Sequence, residues 1–337
     1  MSNHKHIIVS GIQPTGNLHI GNYLGAVKNW VDLQNSGKYE MYIFIADLHS
    51  LSGKMTPDEL RAQTRTTAAE LLAAGIDPKK TTFYFQSRIA GHAELAWILN
   101  CLTPMSELER MTQYKDKTAQ LKMSTAGLFT YPILQAADIL MYKGEMVPVG
   151  QDQIQHVELT RDIARWFNKK YGAYFPETKH LLTETPKVMS LLEPNKKMSK
   201  SLGADHVIEM ADEPGVIEQK IKRAVTATEG GGQAPGVINL LMLLQKFESG
   251  LSFPRLSTGE SSYERFVKAE KDGTIRYGEL KDELAKAIAN YFADFRAKRA
   301  ELLKNPAKLD KIMRDGAAKA QKVADKTMEG VRNLIGL

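Results

Sequence analysis

A short apolar run, Ile7-Ile8-Val9, leads directly into Gly11-Ile12-Gln13-Pro14-Thr15-Gly16-Asn17-Leu18-His19-Ile20-Gly21-Asn22. An amphipathic stretch with Leu24, Val27, Trp30 and Leu33 follows. The order is strand, glycine-bearing loop, helix, and no other stretch constrains the fold as much. Gly11, Gly16 and Gly21 let backbone approach a bulky anion, and N–H groups at a helix start carry partial positive charge. His19 and Asn22 can add side-chain donors at the same place. The spacing is neither a dinucleotide fingerprint nor a P-loop, so by itself it suits a phosphate site and a structural turn about equally.

The alternation continues. Met41-Tyr42-Ile43-Phe44-Ile45-Ala46 is apolar on both faces, as a strand covered by helices must be. Thr56 and Pro57 open a helix running through Leu72, Thr82 to Ser87 is a third strand, and Glu94 to Leu102 is a helix that reads Cys101 into its core face. Tyr131 to Tyr142 is helical and Met146 to Gly150 a short strand. Such a series predicts an α/β domain built on a doubly wound parallel sheet, whose ligands bind beyond the carboxyl ends of the strands. Ser10-Gly11, Asp47 to His49 and Gln86-Ser87 all lie at those ends.

Residues 104–125 are polar and basic and read as a connecting insertion. Beyond Ser201 strand-like runs give way to long helical ones, Val216 to Val225, Val237 to Glu248, Tyr277 to Lys304 and Leu309 to Leu334. The expected division is therefore a catalytic domain over 1–202 and a helical domain over 203–337, its last helix folding back on the first domain.

A chain of 337 residues, 43% hydrophobic and 25% charged, is long enough for two buried cores. The excess of 45 basic over 39 acidic residues permits a polyanionic partner. One cysteine excludes an intrachain disulfide and any multi-cysteine metal site. No leader segment and no run of 18 apolar residues is read, so the expectation is a cytoplasmic protein with no membrane anchor.

Pro14-Thr15-Gly16-x-x-His19-Ile20-Gly21-Asn22 resembles the HIGH signature of class I aminoacyl-tRNA synthetases, with Asn22 in the place of its last His as in the tryptophanyl branch. Lys197-Met198-Ser199-Lys200-Ser201 matches the second signature of that class, KMSKS. Val147-Pro148-Val149-Gly150-Gln151-Asp152-Gln153-x-x-His156 is similar to the tryptophanyl-tRNA synthetase family, Gln151 replacing the usual Glu. The resemblance extends along nearly the whole chain, with Pro235-Gly236-Val237-x-Asn239-Leu240-Leu241 and Asp315-Gly316-Ala317 among the later matches.

The resemblance implies activation of an amino acid by ATP, with Mg²⁺ carried on the phosphates and no protein metal site, followed by transfer to tRNA(Trp). It assigns catalysis to His19, Asn22, Lys197 and Lys200. It assigns ATP contacts to Gln13, Pro14, Thr15, Gly21, Asn22, Gly150, Gln151, Asp152, Val188 and the segment Lys197, Met198, Ser199, Lys200 and Ser201. It implies a homodimer as well.

Asp138 lies in an apolar stretch, where a carboxylate is costly unless something donates to it. An indole N–H is donor only, and a site built around one such bond rejects an analogue lacking it by ~10⁴-fold or more. A backbone N–H or a tyrosine hydroxyl would satisfy the carboxylate equally well. By resemblance Asp138 receives the L-tryptophan indole, Val147 and Val149 pack on the ring, and Tyr131, Gln135, Gln153 and His49 complete the site. Tyr131, Gln135 and Asp138 also resemble the amino-acid pocket of tyrosyl-tRNA synthetases, which leaves tyrosine as the alternative substrate. A non-catalytic paralogue binding RNA or tryptophan is the alternative from another class. Lys220, Lys222, Arg223, Lys281, Lys286, Arg296, Lys298 and Arg299 are candidate tRNA phosphate contacts.

Overall fold

The computed structural model describes residues 5–111, 125–150, 153–182, 186–226, 234–248 and 261–337. It divides into two compact units. The first comprises Met1–Gly16, Lys28–Glu184 and Leu302–Leu337, the second Asn17–Val27 and Thr185–Glu301.

The first unit holds five parallel strands: β1 (His6–Ile12), β2 (Tyr39–Ile45), β3 (Thr81–Phe85), β4 (Met146–Val149) and β5 (Lys179–Leu182), in the order β3-β2-β1-β4-β5. Val9 pairs with Tyr42, Ile45 with Phe85 and Ile8 with Met146. The chain builds outward from β1 through β2 to β3 and then returns to the other side of β1. The topological switch therefore falls between β1 and β4, where ligands of doubly wound sheets bind. Gln13 and Gly150 follow these two strands.

Strand β5 was not anticipated. Its residues, Lys179-His180-Leu181-Leu182, are mostly exposed at the sheet edge and carry neither an apolar run nor a clean alternation. The helix Pro57–Ala73 begins as expected, with Thr56 accepting from Glu59 N–H and the Glu59 side chain reaching back. In the helix Gly91–Asn100 the inward face is Leu95, Ala96 and Leu99. That spacing turns Trp97, 70% exposed, outward, and Cys101 is exposed rather than core as read from sequence.

The last helix, Pro306–Ile335, packs on β3 within this unit. Gly316 makes the approach possible: a Cβ there would lie 1.8 Å from the Phe83 carbonyl oxygen. Arg332 clamps Glu94 with two nitrogens, at 2.7 and 2.6 Å.

The second unit is helical, with Pro214–Arg223, Pro235–Glu248, Ser262–Lys271 and Tyr277–Tyr291 packed around Ile217, Ile221, Leu243, Phe247, Leu284 and Ile288. The helix expected over Tyr277 to Lys304 is broken at Phe292. That ring is buried edge-on against Tyr23, Tyr291 and Phe295. Ser262–Lys271 was not anticipated, although Ser261 and Glu264 form a capping box and Glu248 accepts from the N–H groups of Ser262 and Tyr263.

The compact units do not follow a boundary at 202. Met189 pairs antiparallel with Lys197, Ser190 N–H donates to Lys196 C=O, and the Asn239 side chain bonds both backbone polar groups of Met189. The KMSKS segment is thereby tied to the helical unit, and Leu302–Leu337 belongs to the sheet unit. Among the described residues no helix is long and apolar enough to cross a membrane.

Candidate active site

In the second unit, His19 caps the helical stretch that starts at Ile20. Its Nδ1 accepts from Gly21 N–H at 3.1 Å and Asn22 N–H at 3.3 Å, and Asn22 Oδ1 accepts from His19 N–H at 3.1 Å. A ring nitrogen that accepts carries no proton, so Nε2–H is the imidazole's donor. Burial, reinforced by the positive charges of Lys200 and Lys197, lowers the His19 pKa to about 4. The imidazole is therefore neutral at pH 7.

These contacts correct one expectation. The N–H groups at the helix start are already occupied, Ile20 by Ile208 C=O at 2.9 Å and Gly21 and Asn22 by His19. At this helix start the backbone donors are therefore taken, by Ile208 and by His19. Gly21 is required for a different reason than backbone approach to phosphate: a Cβ would sit 2.9 Å from the folded-back His19 ring.

The KMSKS segment lies in the same unit. Met198 is buried beside Val188, whose C=O accepts from Met198 N–H at 2.9 Å. Lys197 is exposed and Lys200 half-buried. Ser199 caps the turn Lys200–Leu202, and its hydroxyl bonds that of Ser201 at 2.8 Å. The Lys200 ammonium donates to Asn17 C=O, while the Asn17 side chain donates to Glu209 at 2.7 Å and accepts from Arg299 at 3.3 Å.

The basic residues proposed to meet phosphates are mostly committed already. Lys220 is buried against Asp212 at 2.6 Å, a correction to its reading as a surface contact. Lys222 pairs with Glu218 and Arg223 holds Asp205 with two bonds. Lys281 and Arg296 donate to the carbonyls of Lys222 and Ala289. Lys286 and Lys298 are exposed.

In the first unit, helix Ala126–Leu140 carries Asp138, 1% exposed. Its Oδ2 meets His49 Nε2 at 2.9 Å, and its Oδ1 meets Gln86 Nε2 at 2.7 Å and His92 Nδ1 at 2.6 Å. Burial pushes the carboxyl up, but the His49 hydrogen bond and the interactions with His92 outweigh it and hold the group below the ordinary carboxylate range. An ionised carboxylate only accepts, so each facing nitrogen donates. Gln86 is oriented by Leu48 N–H on its Oε1 at 3.2 Å.

Tyr131 lies edge-on to His49, with ring centroids 6.4 Å apart, and its hydroxyl bonds His156 at 2.8 Å. Burial raises its pKa to about 12. Val147 and Val149 share one face of β4 and belong to the same apolar cluster as Ala136 and Ala137. Gln135 and Gln153 are half-buried, and Gly150 accepts from Gln153 N–H. Gln13 and Thr15 are exposed in a tight turn around buried Pro14. Gln151 and Asp152 lie outside the described residues, as does most of the insertion.

The sequence reading names Asp138 and His49 as site residues but not Gln86, His92 and Tyr142, which the structure brings into the same hydrogen-bonded group. Gln86 was noticed only as a strand end. His92 and Tyr142 sit in apolar surroundings, and no local pattern tells a buried histidine beside a carboxylate from one in an ordinary core.

The family model for class I tRNA synthetases (W and Y) matches residues 1–293. Tryptophan–tRNA ligase 2 of Streptomyces avermitilis is 42% identical, over 100% of this chain and 98% of its own length. The tryptophanyl-tRNA synthetase of Campylobacter jejuni, solved in complex with ADP and tryptophan, superposes with a TM-score of 0.83 at 34% identity, covering 98% of this chain and 100% of that one. The Mycoplasma pneumoniae tryptophanyl-tRNA synthetase gives 0.85 at 30% identity, covering 99% and 98%. With its motifs in place and its full length matched, the chain belongs to the class I tRNA synthetases of the tryptophan and tyrosine family, in the tryptophan–tRNA ligase branch.

Proposed function

We infer that this protein activates L-tryptophan with Mg-ATP, forming tryptophanyl adenylate and pyrophosphate, and transfers the tryptophanyl group to tRNA(Trp). The observation that carries the choice of substrate is the buried, ionised Asp138, an acceptor suited to an indole N–H.

The substrate carboxylate attacks the α-phosphorus, a new P–O bond forms, and the bond to the β-phosphate oxygen breaks as pyrophosphate departs. No protein nucleophile is required, so catalysis is positioning and charge stabilisation. We propose that His19 Nε2–H and Asn22 Nδ2 donate to phosphate oxygens, and that Lys197 and Lys200 neutralise the departing pyrophosphate. Buried Met198 anchors that segment, and Ser199 and Ser201 shape its turn. Gln13, Pro14, Thr15, Gly21, Gly150, Gln151, Asp152 and Val188 are the proposed nucleotide contacts, and Mg²⁺ arrives on the ATP. Tyr131, Gln135, Val147, Val149, Gln153 and His49 surround the amino acid in this reading.

We propose further that the helical residues beyond 202 meet the tRNA, with exposed Lys286 and Lys298 as its phosphate contacts, and that the protein works in the cytoplasm as a homodimer. Trp97, 70% exposed, and Met105, 66% exposed, are the outward apolar side chains assigned to that pairing.

The deciding experiment is amino-acid-dependent ATP–pyrophosphate exchange with tryptophan and tyrosine side by side. Exchange with tryptophan alone is expected. Exchange driven by tyrosine alone would overturn the substrate assignment, and none with either would overturn the activation chemistry.

A further inference from the structure

An ionised carboxylate offers about four lone-pair sites, two on each oxygen. Among the described residues Oδ1 of Asp138 has two donors, Gln86 and His92, whereas Oδ2 has one, His49. Among the described residues, the uneven filling leaves a single open acceptor position, and it lies on Oδ2. His92 is itself fixed from behind. Its Nε2 meets the Tyr142 hydroxyl at 2.9 Å, and the Tyr142 ring stacks on Tyr42 with centroids 4.5 Å apart and planes 19° apart. All three of these side chains are buried, His92 and Tyr142 completely.

We propose that His92, braced by Tyr142, is a specificity-determining positioning residue: by closing Oδ1 together with Gln86 it presents Oδ2 as a lone, fixed acceptor that admits an aromatic ring bearing N–H and penalises one without it. The proposal rests on the assignment of Asp138 as the indole acceptor. Without the His92 donor, Oδ1 also has an open position, and the carboxyl can rotate or take up a proton. A protonated carboxyl donates, so the penalty against a ring lacking N–H disappears.

The test measures kcat and KM in pyrophosphate exchange for tryptophan and for 3-benzothienylalanine, whose ring carries sulfur in place of N–H. The wild-type protein should favour tryptophan by about 10²-fold in kcat/KM, less than the ~10⁴-fold of a site resting on a single bond, because three protein donors remain on the buried carboxylate and the analogue leaves only one acceptor position unfilled. His92→Leu should collapse that ratio to within a few-fold, with the KM for ATP unchanged. His92→Asn, which can return an N–H donor near the Nδ1 position, should restore most of the ratio. Tyr142→Phe removes only a hydroxyl, and should raise the KM for tryptophan several-fold while leaving kcat within a factor of two.

An equal loss for both substrates in His92→Leu, with the ratio intact, would reduce His92 to packing and overturn the proposal. If His92→Leu does not fold, an unchanged KM for tryptophan in Tyr142→Phe overturns it instead. Failure of the underlying assignment is distinct: Asp138→Asn would then leave tryptophan kinetics untouched.

Discussion

Gly21 N–H donates to His19 Nδ1 at 3.1 Å, and a Cβ on Gly21 would stand 2.9 Å from the same ring. The glycine is thus the floor on which the imidazole folds back. Gly21→Ala should leave the fold intact, since the site is at a partly exposed loop, but swing His19 away from its cap. A fall of about 10²-fold in kcat for pyrophosphate exchange is expected, the usual cost of one misplaced transition-state donor, with the KM for tryptophan nearly constant.

Acid should destabilise this same loop. In the unfolded chain His19 titrates at 6.5, in the native protein at about 4, so between those values the unfolded state binds more protons. Stability therefore falls as pH drops from 6.5 towards 4 and levels off below. The His19 contribution is at most about 3 kcal/mol across that window. Urea unfolding at a series of pH values, compared between the wild-type protein and His19→Asn, isolates it: the wild type should lose more. Between pH 7 and 8 His19 stays neutral, and exchange activity should show no inflection from it.

Gly316→Ala tests the seat of the last helix. The added methyl would collide with the backbone carbonyl oxygen of Phe83 at 1.8 Å, where no rotamer change relieves it. A loss of about 3 kcal/mol is expected, visible as a lowered Tm in calorimetry. Gly278→Ala, at a helical glycine with nothing within 4 Å of its Cβ, should be neutral or mildly stabilising.

The outward side chains of Trp97 and Met105 give a separate test of assembly. Trp97→Glu with Met105→Glu replaces two outward apolar side chains without touching the core. Sedimentation should find the wild-type protein as a dimer and the double variant as a monomer with an unchanged circular dichroism spectrum. A monomeric wild type would exclude the homodimer.

Much of the fold could be read from local chemistry. The apolar runs at β1 and β2, the Thr56-Pro57 helix start and the two signature segments each carry their meaning within a few residues. Strand β5 could not be read that way, because an edge strand is defined by a neighbour's hydrogen bonds more than by its own apolar content. Nor could the break at Phe292, where Tyr23, Phe247, Tyr291 and Phe295 gather around a buried ring from four separate positions in the chain.

The sequence by itself determined the class of chemistry through resemblance, since His19, Asn22, Lys197 and Lys200 stand in the two signature segments of the class I synthetases. It determined as well that Asp138 needs a donor. Only the tertiary structure decided which donors come: His49 and Gln86 from the ends of two strands, and His92 from the next helix, 46 residues from the carboxylate it holds. The reason is that a hydrogen bond acts over about 3 Å of space and is indifferent to the length of chain between its partners.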